Sequence, residues 1–224
     1  AYGKLKNLPY TDKIALIEDF LRFGQYERLP IEFYPFKKTS TDINLESICA
    51  VYGKGTGSGF LYKNSNTDTN IYVVTCAHLV DVTNLNTFRA SFNTSQIETE
   101  ITTNIAEFRF VGRDMYTDIL VGVFDPTLPF NVSNKVDISQ YKKLKIDVTY
   151  KGYKGDSLYT MGTLGKIDND AYLEGKLLDP YYVGNFKSMS ATIPASYLID
   201  IAGVGGLSGA PIFSKDNDEQ VIGM

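Results

Sequence analysis

The sequence is poor in the two residue types that most often build zinc sites. It contains one histidine, His78, and two cysteines, Cys49 and Cys76, which stand 27 residues apart. Three such residues at this spacing do not fit the usual closed, four-ligand zinc site. We therefore expect no resident metal and no metal-based catalysis. Any imidazole that acts as a general base must belong to His78.

The scarcity of cysteine also bears on the cellular compartment. A secreted domain of this size usually carries more cysteines, so the sequence favours a reducing, cytoplasmic environment in which both thiols are free. A single Cys49–Cys76 disulfide is the alternative. No apolar run approaches the roughly 18 residues that a membrane span needs. The opening residues also lack the pattern of a signal peptide.

Positive charge is scarce as well. The formal net charge is −4, with 22 Lys and Arg against 26 Asp and Glu. Proteins that bind nucleic acid or anionic membrane surfaces usually carry a basic patch. We therefore expect neither a nucleic-acid partner nor a membrane partner.

The first 44 residues differ in pattern from the rest. A short amphipathic helix is predicted to begin near Thr11, and an aromatic, extended link lies between Pro30 and Pro35. We expect residues 1–44 to form a helical and extended arm that packs against the domain or a protein partner. A regulatory role for this arm is the alternative.

From Leu45 onward, short β-branched and aromatic runs alternate with polar turns, which predicts an all-β barrel or sandwich. The polar segment Asp125–Gln140 divides the strands into two sets, with a boundary near residue 140. The predicted strands are Ser47–Tyr52, Gly59–Tyr62, Ile71–Thr75, Phe88–Phe92, Ile97–Thr102, Glu107–Val111, Ile119–Phe124, Ile146–Tyr150, Ser157–Met161, Ala171–Leu178, Lys187–Thr192, Tyr197–Ile201, Pro211–Phe213 and Gln220–Met224.

Two glycine-rich segments suggest special backbone geometry. Gly53–Gly59 does not have the spacing of a phosphate-binding loop, so a glycine-rich turn or bulge is the better interpretation. Gly205–Pro211 places Ser208 between glycines. Such a turn can bring backbone N–H groups close to a nucleophilic hydroxyl, but a flexible turn has the same pattern.

Two further residues stand at the ends of apolar segments. His78 follows the apolar run Ile71–Thr75, and Asp118 precedes the apolar run Ile119–Phe124. Each has a structural alternative: His78 as a hydrogen-bonded core residue and Asp118 as the cap of a turn. A carboxylate beside apolar residues is costly unless it is paired or hydrogen-bonded.

Taken together, three segments resemble the chymotrypsin-like (trypsin-fold) serine peptidases. They are Thr75-Cys76-Ala77-His78, Asp118-Ile119-Leu120-Val121 and Gly206-Leu207-Ser208-Gly209-Ala210-Pro211, with His, Asp and Ser 40 and then 90 residues apart. Gly57-Ser58-Gly59-Phe60 and Gly155–Gly162 are similar to segments of the Deg-type branch, and viral members are also similar. The resemblance covers about residues 45–224.

The resemblance implies two antiparallel six-stranded Greek-key barrels preceded by the N-terminal arm. The first, residues 45–140, would carry His78 and Asp118, and the second, residues 141–224, would carry Ser208. A further strand of the family's second barrel would begin about where this sequence stops. We therefore expect the second barrel to be incomplete at its C-terminal end.

The resemblance also implies roles for particular residues. Ser208 would be the nucleophile, His78 the general base and Asp118 its partner, with the backbone N–H groups of Gly206 and Ser208 as the oxyanion hole. Substrate side chains would contact Ile201, Ala202 and Gly203. Because trypsins carry an acidic residue where this sequence has Ala202, we expect no strong preference for Lys or Arg. Leu207 stands where digestive members have an aspartate that pairs with a newly formed N-terminus.

Two functions are compatible with these features. The first is a cofactor-independent serine endopeptidase that acts on polypeptides, such as a viral or cellular polyprotein, in the cytoplasm or in a virion. The second is a binding or structural module that keeps the fold, turns over weakly or not at all, and joins a larger assembly through residues 1–40.

Overall fold

Six antiparallel strands form a closed barrel in the first half of the protein. The computed structural model describes residues 45–65, 67–80, 86–92, 104–163, 170–183, 185–186, 191–192, 196–201, 203 and 205–224. The barrel closes in the order β1-β2-β3-β6-β5-β4, and every neighbouring pair is antiparallel. Its strands are β1 (Ile48–Tyr52), β2 (Thr56–Tyr62), β3 (Tyr72–Cys76), β4 (Thr87–Phe92), β5 (Asn104–Asp114) and β6 (Ile119–Phe124).

A second sheet of six strands follows, in the order β12-β9-β8-β13-β14-β7. Strands β10 and β11 form a separate two-stranded sheet. The strands of this half are β7 (Lys145–Ile146), β8 (Ser157–Thr163), β9 (Asp170–Tyr182), β10 (Asn185–Phe186), β11 (Ala191–Thr192), β12 (Ser196–Ile199), β13 (Ile212–Ser214) and β14 (Asn217–Gly223). The predicted all-β fold is confirmed.

The second sheet differs from the predicted antiparallel barrel in two respects. Within the described residues it is an open sheet, and β7 pairs with β14 in parallel. Just before β7, Leu144 forms a parallel bridge with Tyr62 of β2. Lys145 and Ile146 then continue alongside β14 in the same direction.

Both faces of the first three strands are buried over most of their length. Successive side chains of a strand point to opposite faces. Cys49, Leu61 and Val73 belong to the core inside the barrel. The adjacent positions Ile48, Phe60 and Val74 join a second core cluster with side chains of the other sheet, namely Tyr159, Met161, Phe213 and Val221. This shared cluster joins the two halves of the protein.

The sequence predictions depart from the structure in two connecting segments. A short helix, α1 (Pro129–Asn134), forms within the polar segment that was predicted only to divide the two sets of strands. Strand β7 stops at Ile146 because the Asp147 carboxylate accepts hydrogen bonds from the backbone N–H groups of Thr149 and Tyr150, which forms a turn.

Several predicted elements cannot be compared with the structure. Residues 1–44, the predicted strand at 97–102 and residues 187–190 lie outside the described part of the protein. In the ranges that are described, no helix combines the length and the apolar character that crossing a bilayer requires.

Candidate active site

The pairing of β3 with β6 brings His78 and Asp118 together. Cys76, the last residue of β3, is the partner of Ile119, the first residue of β6. The residues just beyond these two strand ends therefore face each other across the barrel edge. His78 lies in a short 3-10 turn (Ala77–Leu79), and Asp118 ends the tight turn between β5 and β6.

Asp118 holds His78 at two points. One carboxylate oxygen, Oδ2, lies 2.5 Å from His78 Nδ1, and the other, Oδ1, accepts the His78 backbone N–H at 2.8 Å. The Asp118 carbonyl also accepts the backbone N–H of Ala77 at 2.8 Å. Because an ionised carboxylate can only accept, the imidazole proton of this pair lies on Nδ1 and leaves the Nε2 lone pair available.

The backbone of Asp118 adopts a left-handed conformation, with φ of 56°. Aspartate tolerates this region better than most residues do. The conformation turns the chain into β6 while the carboxylate faces His78. Asp118 thus both caps the turn at residues 77–79 and pairs with the imidazole. The interpretation of Asp118 as a turn cap and its interpretation as the partner of His78 therefore describe the same geometry.

The thiol of Cys76 is a third member of this cluster. The thiol sulfur lies within 4.8 Å of a carboxylate oxygen of Asp118. Burial, together with the negative charge of Asp118, raises the pKa of the Cys76 thiol to about 12. The thiol is therefore protonated at neutral pH.

Ser208 belongs to a loop of residues 205–210, here called the serine loop, which lies against strand β2. The Ser208 carbonyl accepts the backbone N–H of Ser58 at 2.7 Å. The Leu207 carbonyl accepts the N–H of Ala210 at 2.8 Å, which closes a tight turn around Ser208. The structure thereby brings Ser208, from the second half of the protein, to the edge of the first barrel.

The buried hydroxyl of Ser58 fixes the start of the serine loop. Ser58 Oγ donates to the Gly206 carbonyl at 2.8 Å and accepts the Thr163 backbone N–H at 2.8 Å. The Ser58 carbonyl in turn accepts the Thr75 hydroxyl at 2.6 Å. This network connects β2, β3, β8 and the serine loop at one point.

The glycines at this junction allow unusually close backbone contact. A Cβ on Gly209, whose φ is +86°, would lie 2.1 Å from the Ser58 carbonyl oxygen and 2.6 Å from Thr75 Oγ1. A Cβ on Gly57 would lie 2.8 Å from the Ser208 carbonyl oxygen. Neither position accepts a side chain without movement of the loop, so these glycines are needed for packing rather than for flexibility.

Leu207 anchors the serine loop through apolar contact. A Cβ on Gly162 of β8 would lie 2.8 Å from Leu207 Cδ2 and 2.9 Å from Ala210 Cβ. The side chain of Leu207 therefore packs directly over the backbone of Gly162. Gly206, before it, has a φ of +100°, a conformation that glycine adopts without strain.

The residues expected to contact substrate side chains are described only in part. Ile201 packs against β9, since a Cβ on Gly175 would lie 2.7 Å from Ile201 Cγ1. The neighbouring Asp200 carboxylate accepts the backbone N–H of Lys176. Gly203 is exposed and has open space where a Cβ would lie. Ala202 lies outside the described residues.

The sequence reasoning missed the parts played by Cys76, Thr163 and Ser58. Ser58 was noted only as part of a segment that is similar to one in the Deg-type branch. Gly53–Gly59 was interpreted as a turn or bulge. Only residues 53–55 bend, and β2 already begins at Thr56. Glycines inside a strand often mark a close backbone approach, and this signal could have indicated that another segment lies on β2.

Comparison with known proteins places this architecture in a defined class. Residues 57–224 match the family described as trypsin-like peptidase domain. No curated protein sequence matches the chain significantly. The family match covers most of the chain and includes His78, Asp118 and the serine loop, so the chain belongs to the trypsin-like peptidase domain family.

Solved structures show the same fold at low sequence identity. Deg5 is 17% identical over 80% of this chain and 78% of its own, with a TM-score of 0.55. The MamO protease domain of Magnetospirillum magneticum is 13% identical over 79% and 82%, also with a TM-score of 0.55. The inactive form of the Rv3671c protease is 16% identical over 80% and 76%, with a TM-score of 0.54. The resemblance to Deg-type and other trypsin-fold proteases is confirmed at the level of fold.

Proposed function

We propose that this protein is a serine endopeptidase in which Ser208, His78 and Asp118 form the catalytic triad. The observation that carries the proposal is the two-point contact between Asp118 and His78, at 2.5 Å and 2.8 Å. It fixes the imidazole with its proton on Nδ1, the tautomer that a general base for serine requires. The side chain of His78 is 45% exposed, so a substrate can reach it.

The contacts of the serine loop support the same assignment. The loop lies on β2 and β3 through Ser58, Thr75 and Cys76, and His78 follows Cys76 by two residues. The Gly206 carbonyl is bound by Ser58 and therefore faces into the protein. This fixes one side of the turn whose N–H groups, on Gly206 and Ser208, are proposed to bind the oxyanion.

The reaction then follows from the chemistry of these groups. Ser208 Oγ attacks the peptide carbonyl carbon while His78 Nε2 takes the hydroxyl proton, and Asp118 stabilises the imidazolium that forms. The N–H groups of Gly206 and Ser208 stabilise the negative oxygen. His78 gives its proton to the leaving amine, and a water molecule activated by His78 then hydrolyses the acyl-enzyme to release the acid and regenerate Ser208.

We extend the proposal to the substrate. Ile201 and Gly203 provide apolar or open surface, and the acidic residue that selects Lys or Arg in trypsins is replaced by Ala202. Small or apolar side chains are therefore the proposed preference. Processing of a viral or cellular polyprotein stays a prediction, which profiling of cleavage sites in a peptide library would test.

A fluorophosphonate probe tests the proposal directly, since it reacts only with an activated serine. The wild-type protein should be labelled, and Ser208→Ala should not be. In comparable triads, loss of the serine costs about 10⁶-fold in turnover and the Asp→Asn change about 10⁴-fold. Asp118→Asn should therefore label far more slowly than wild type while still folding.

The alternative function gives a different result. A folded wild-type protein, verified by circular dichroism, that is not labelled would exclude the peptidase and favour a binding or structural module. Labelling that survives in Ser208→Ala would assign the reactive serine elsewhere in the chain.

A further inference from the structure

Cys76 gives the proposed active site a third metal-binding group. Single ligand atoms of Cys76, His78 and Asp118 all lie within 4.8 Å of one another. The Asp118 carboxylate already contacts His78 Nδ1, with Oδ2 at 2.5 Å. In the described part of the chain this is the one such cluster of three.

Sulfur, imidazole nitrogen and carboxylate oxygen form a ligand set suited to a soft or borderline divalent cation such as Zn²⁺ or Cd²⁺. Zinc lies about 2.3 Å from sulfur and about 2.0–2.2 Å from nitrogen or oxygen, so ligand atoms in a tetrahedral site are about 3.5 Å apart. Side-chain rotations that move these atoms by about 1 Å would bring the three to that spacing.

The cluster is accessible from one side and held on the other. The His78 and Asp118 side chains are 45% and 29% exposed, so a cation can enter from solvent and keep a water molecule as its fourth ligand. Cys76 is only partly buried and ends β3, whose backbone is fixed by its pairing with β6. An open site with three protein ligands differs from the closed four-ligand site that the sequence composition argues against.

We propose that Cys76, His78 and Asp118 bind Zn²⁺ and that the bound ion inhibits the peptidase. On binding, the thiol loses its proton to solvent, and the imidazole proton moves from Nδ1 to Nε2 so that Nδ1 can coordinate. The local charge changes from −1, due to Asp118, to 0, because the cation adds two charges and the thiolate removes one. His78 then has no free lone pair with which to take the Ser208 proton.

Binding can be measured without activity by using Cd²⁺ as the probe, since a cadmium–thiolate bond gives an ultraviolet charge-transfer band. One equivalent of Cd²⁺ should produce the band in wild type and in Ser208→Ala. Cys76→Ala and Cys76→Ser should lose it. Cys49→Ala is the matched control and should keep it, because Cys49 is fully buried in the barrel core.

The proposed inhibition by Zn²⁺ rests on the proposed peptidase function, and it is measured separately from metal binding. Zn²⁺ should block fluorophosphonate labelling of wild type, and a chelator should restore it. In Cys76→Ser, the Zn²⁺ concentration for half-inhibition, measured against that variant's own metal-free labelling, should rise by about tenfold or more, since even groups outside a ligand set contribute about 10–100-fold to metal affinity.

The possible failures are distinguishable. A wild-type protein without the cadmium band, or a band that survives in both Cys76 variants, would overturn the metal site. The band together with labelling that Zn²⁺ does not affect would overturn the inhibition. Absence of labelling without any metal would instead contradict the proposed peptidase, while the cadmium titration would still decide the metal site.

Discussion

At the scale of single residues, the hydroxyl of Ser58 connects the serine loop to strand β8. It is fully buried and bonds both the Gly206 carbonyl and the Thr163 N–H, each at 2.8 Å. A buried polar group that loses its partner costs about 1–3 kcal/mol. If Ser58 were truncated to alanine, the Gly206 carbonyl and the Thr163 N–H would each lose this hydrogen-bond partner. Gly206 belongs to the proposed oxyanion hole.

We predict that Ser58→Ala lowers the free energy of unfolding by about 1–3 kcal/mol and slows fluorophosphonate labelling of Ser208. The expected decrease in rate is about tenfold, which is less than the roughly 10²–10³-fold cost of losing an oxyanion donor itself, because the N–H groups remain and only their positioning weakens. Urea denaturation and time-resolved labelling measure the two effects.

Ser91→Ala is the matched control for this prediction. Ser91 is another buried serine of the first barrel, and its hydroxyl bonds to Tyr52 Oη at 3.0 Å, away from the serine loop. This variant should lose a similar amount of stability and label at the wild-type rate. Equal labelling rates for the two variants would show that Ser58 does not position the loop.

The site residues that could be predicted from the sequence belong to short motifs, whereas those that could not be predicted are defined by long-range contacts. His78 and Asp118 could be proposed because their segments, together with that of Ser208, resemble the chymotrypsin-like peptidases in order and spacing, whereas each residue alone left a structural alternative open. The hydrogen bonds of Ser58 connect residues 105 and 148 positions apart. Neither periodicity nor local propensity contains such pairings, so the contributions of Ser58 and Cys76 emerged only from the structure.

At the scale of elements, the serine loop is shaped by close backbone contact with β2 and β3. Gly209 approaches the Ser58 carbonyl so closely that a methyl group there would overlap it, at 2.1 Å. The overlapped atom belongs to a strand that pairs on both sides, with β1 and β3. The loop rather than the strand would therefore have to move.

We predict that Gly209→Ala displaces the serine loop and reduces fluorophosphonate labelling by at least about 100-fold, since shifts of about 1 Å in reacting groups can cost that much. Circular dichroism should show that the first barrel remains folded. The labelling rate of the soluble protein is the deciding measurement.

The variant Gly155→Ala is a control that separates the effect of backbone strain from the effect of close atomic contact. Gly155 also has a positive φ, +98°, but a Cβ there would meet open space. This control should be mildly destabilised and should label normally. If Gly209→Ala also labels normally, the proposed position of the serine loop is wrong.

Element prediction succeeded where a single pattern decides the structure. Runs such as Ile119–Phe124 are rich in β-branched and aromatic residues and form strands at the predicted positions. The helix Pro129–Asn134 was missed because its position depends on Asn131, whose buried amide bonds the backbone of Glu107 and Asp125. Side-chain to backbone bonds of this kind override local propensity.

At the scale of the whole molecule, the shared apolar cluster holds the two halves of the proposed active site in register. Phe213 of β13 is fully buried, and its ring stacks on Tyr159 of β8 with centroids 5.0 Å apart. The same cluster includes Ile48, Phe60 and Val74 of the first barrel. Its packing therefore contributes to the stability of both sheets together.

We predict that Phe213→Ala lowers the free energy of unfolding by about 3–5 kcal/mol, the usual cost of truncating a buried aromatic side chain. Urea denaturation followed by circular dichroism should show a lower midpoint. Val148→Ala, at a side chain that is 88% exposed, should change stability by less than about 0.5 kcal/mol. Equal effects of the two changes would contradict the shared core.

The division of the site between the two halves also sets an order in time. Ribosomes deliver the chain from its N-terminal end, and domains tend to fold as they emerge. His78 and Asp118 lie within the first barrel, whereas Ser208 follows Asp118 by 90 residues. A nascent chain thus holds the base and its partner long before it holds a nucleophile, and the proposed peptidase cannot cut anything, itself included, until synthesis has passed the serine loop.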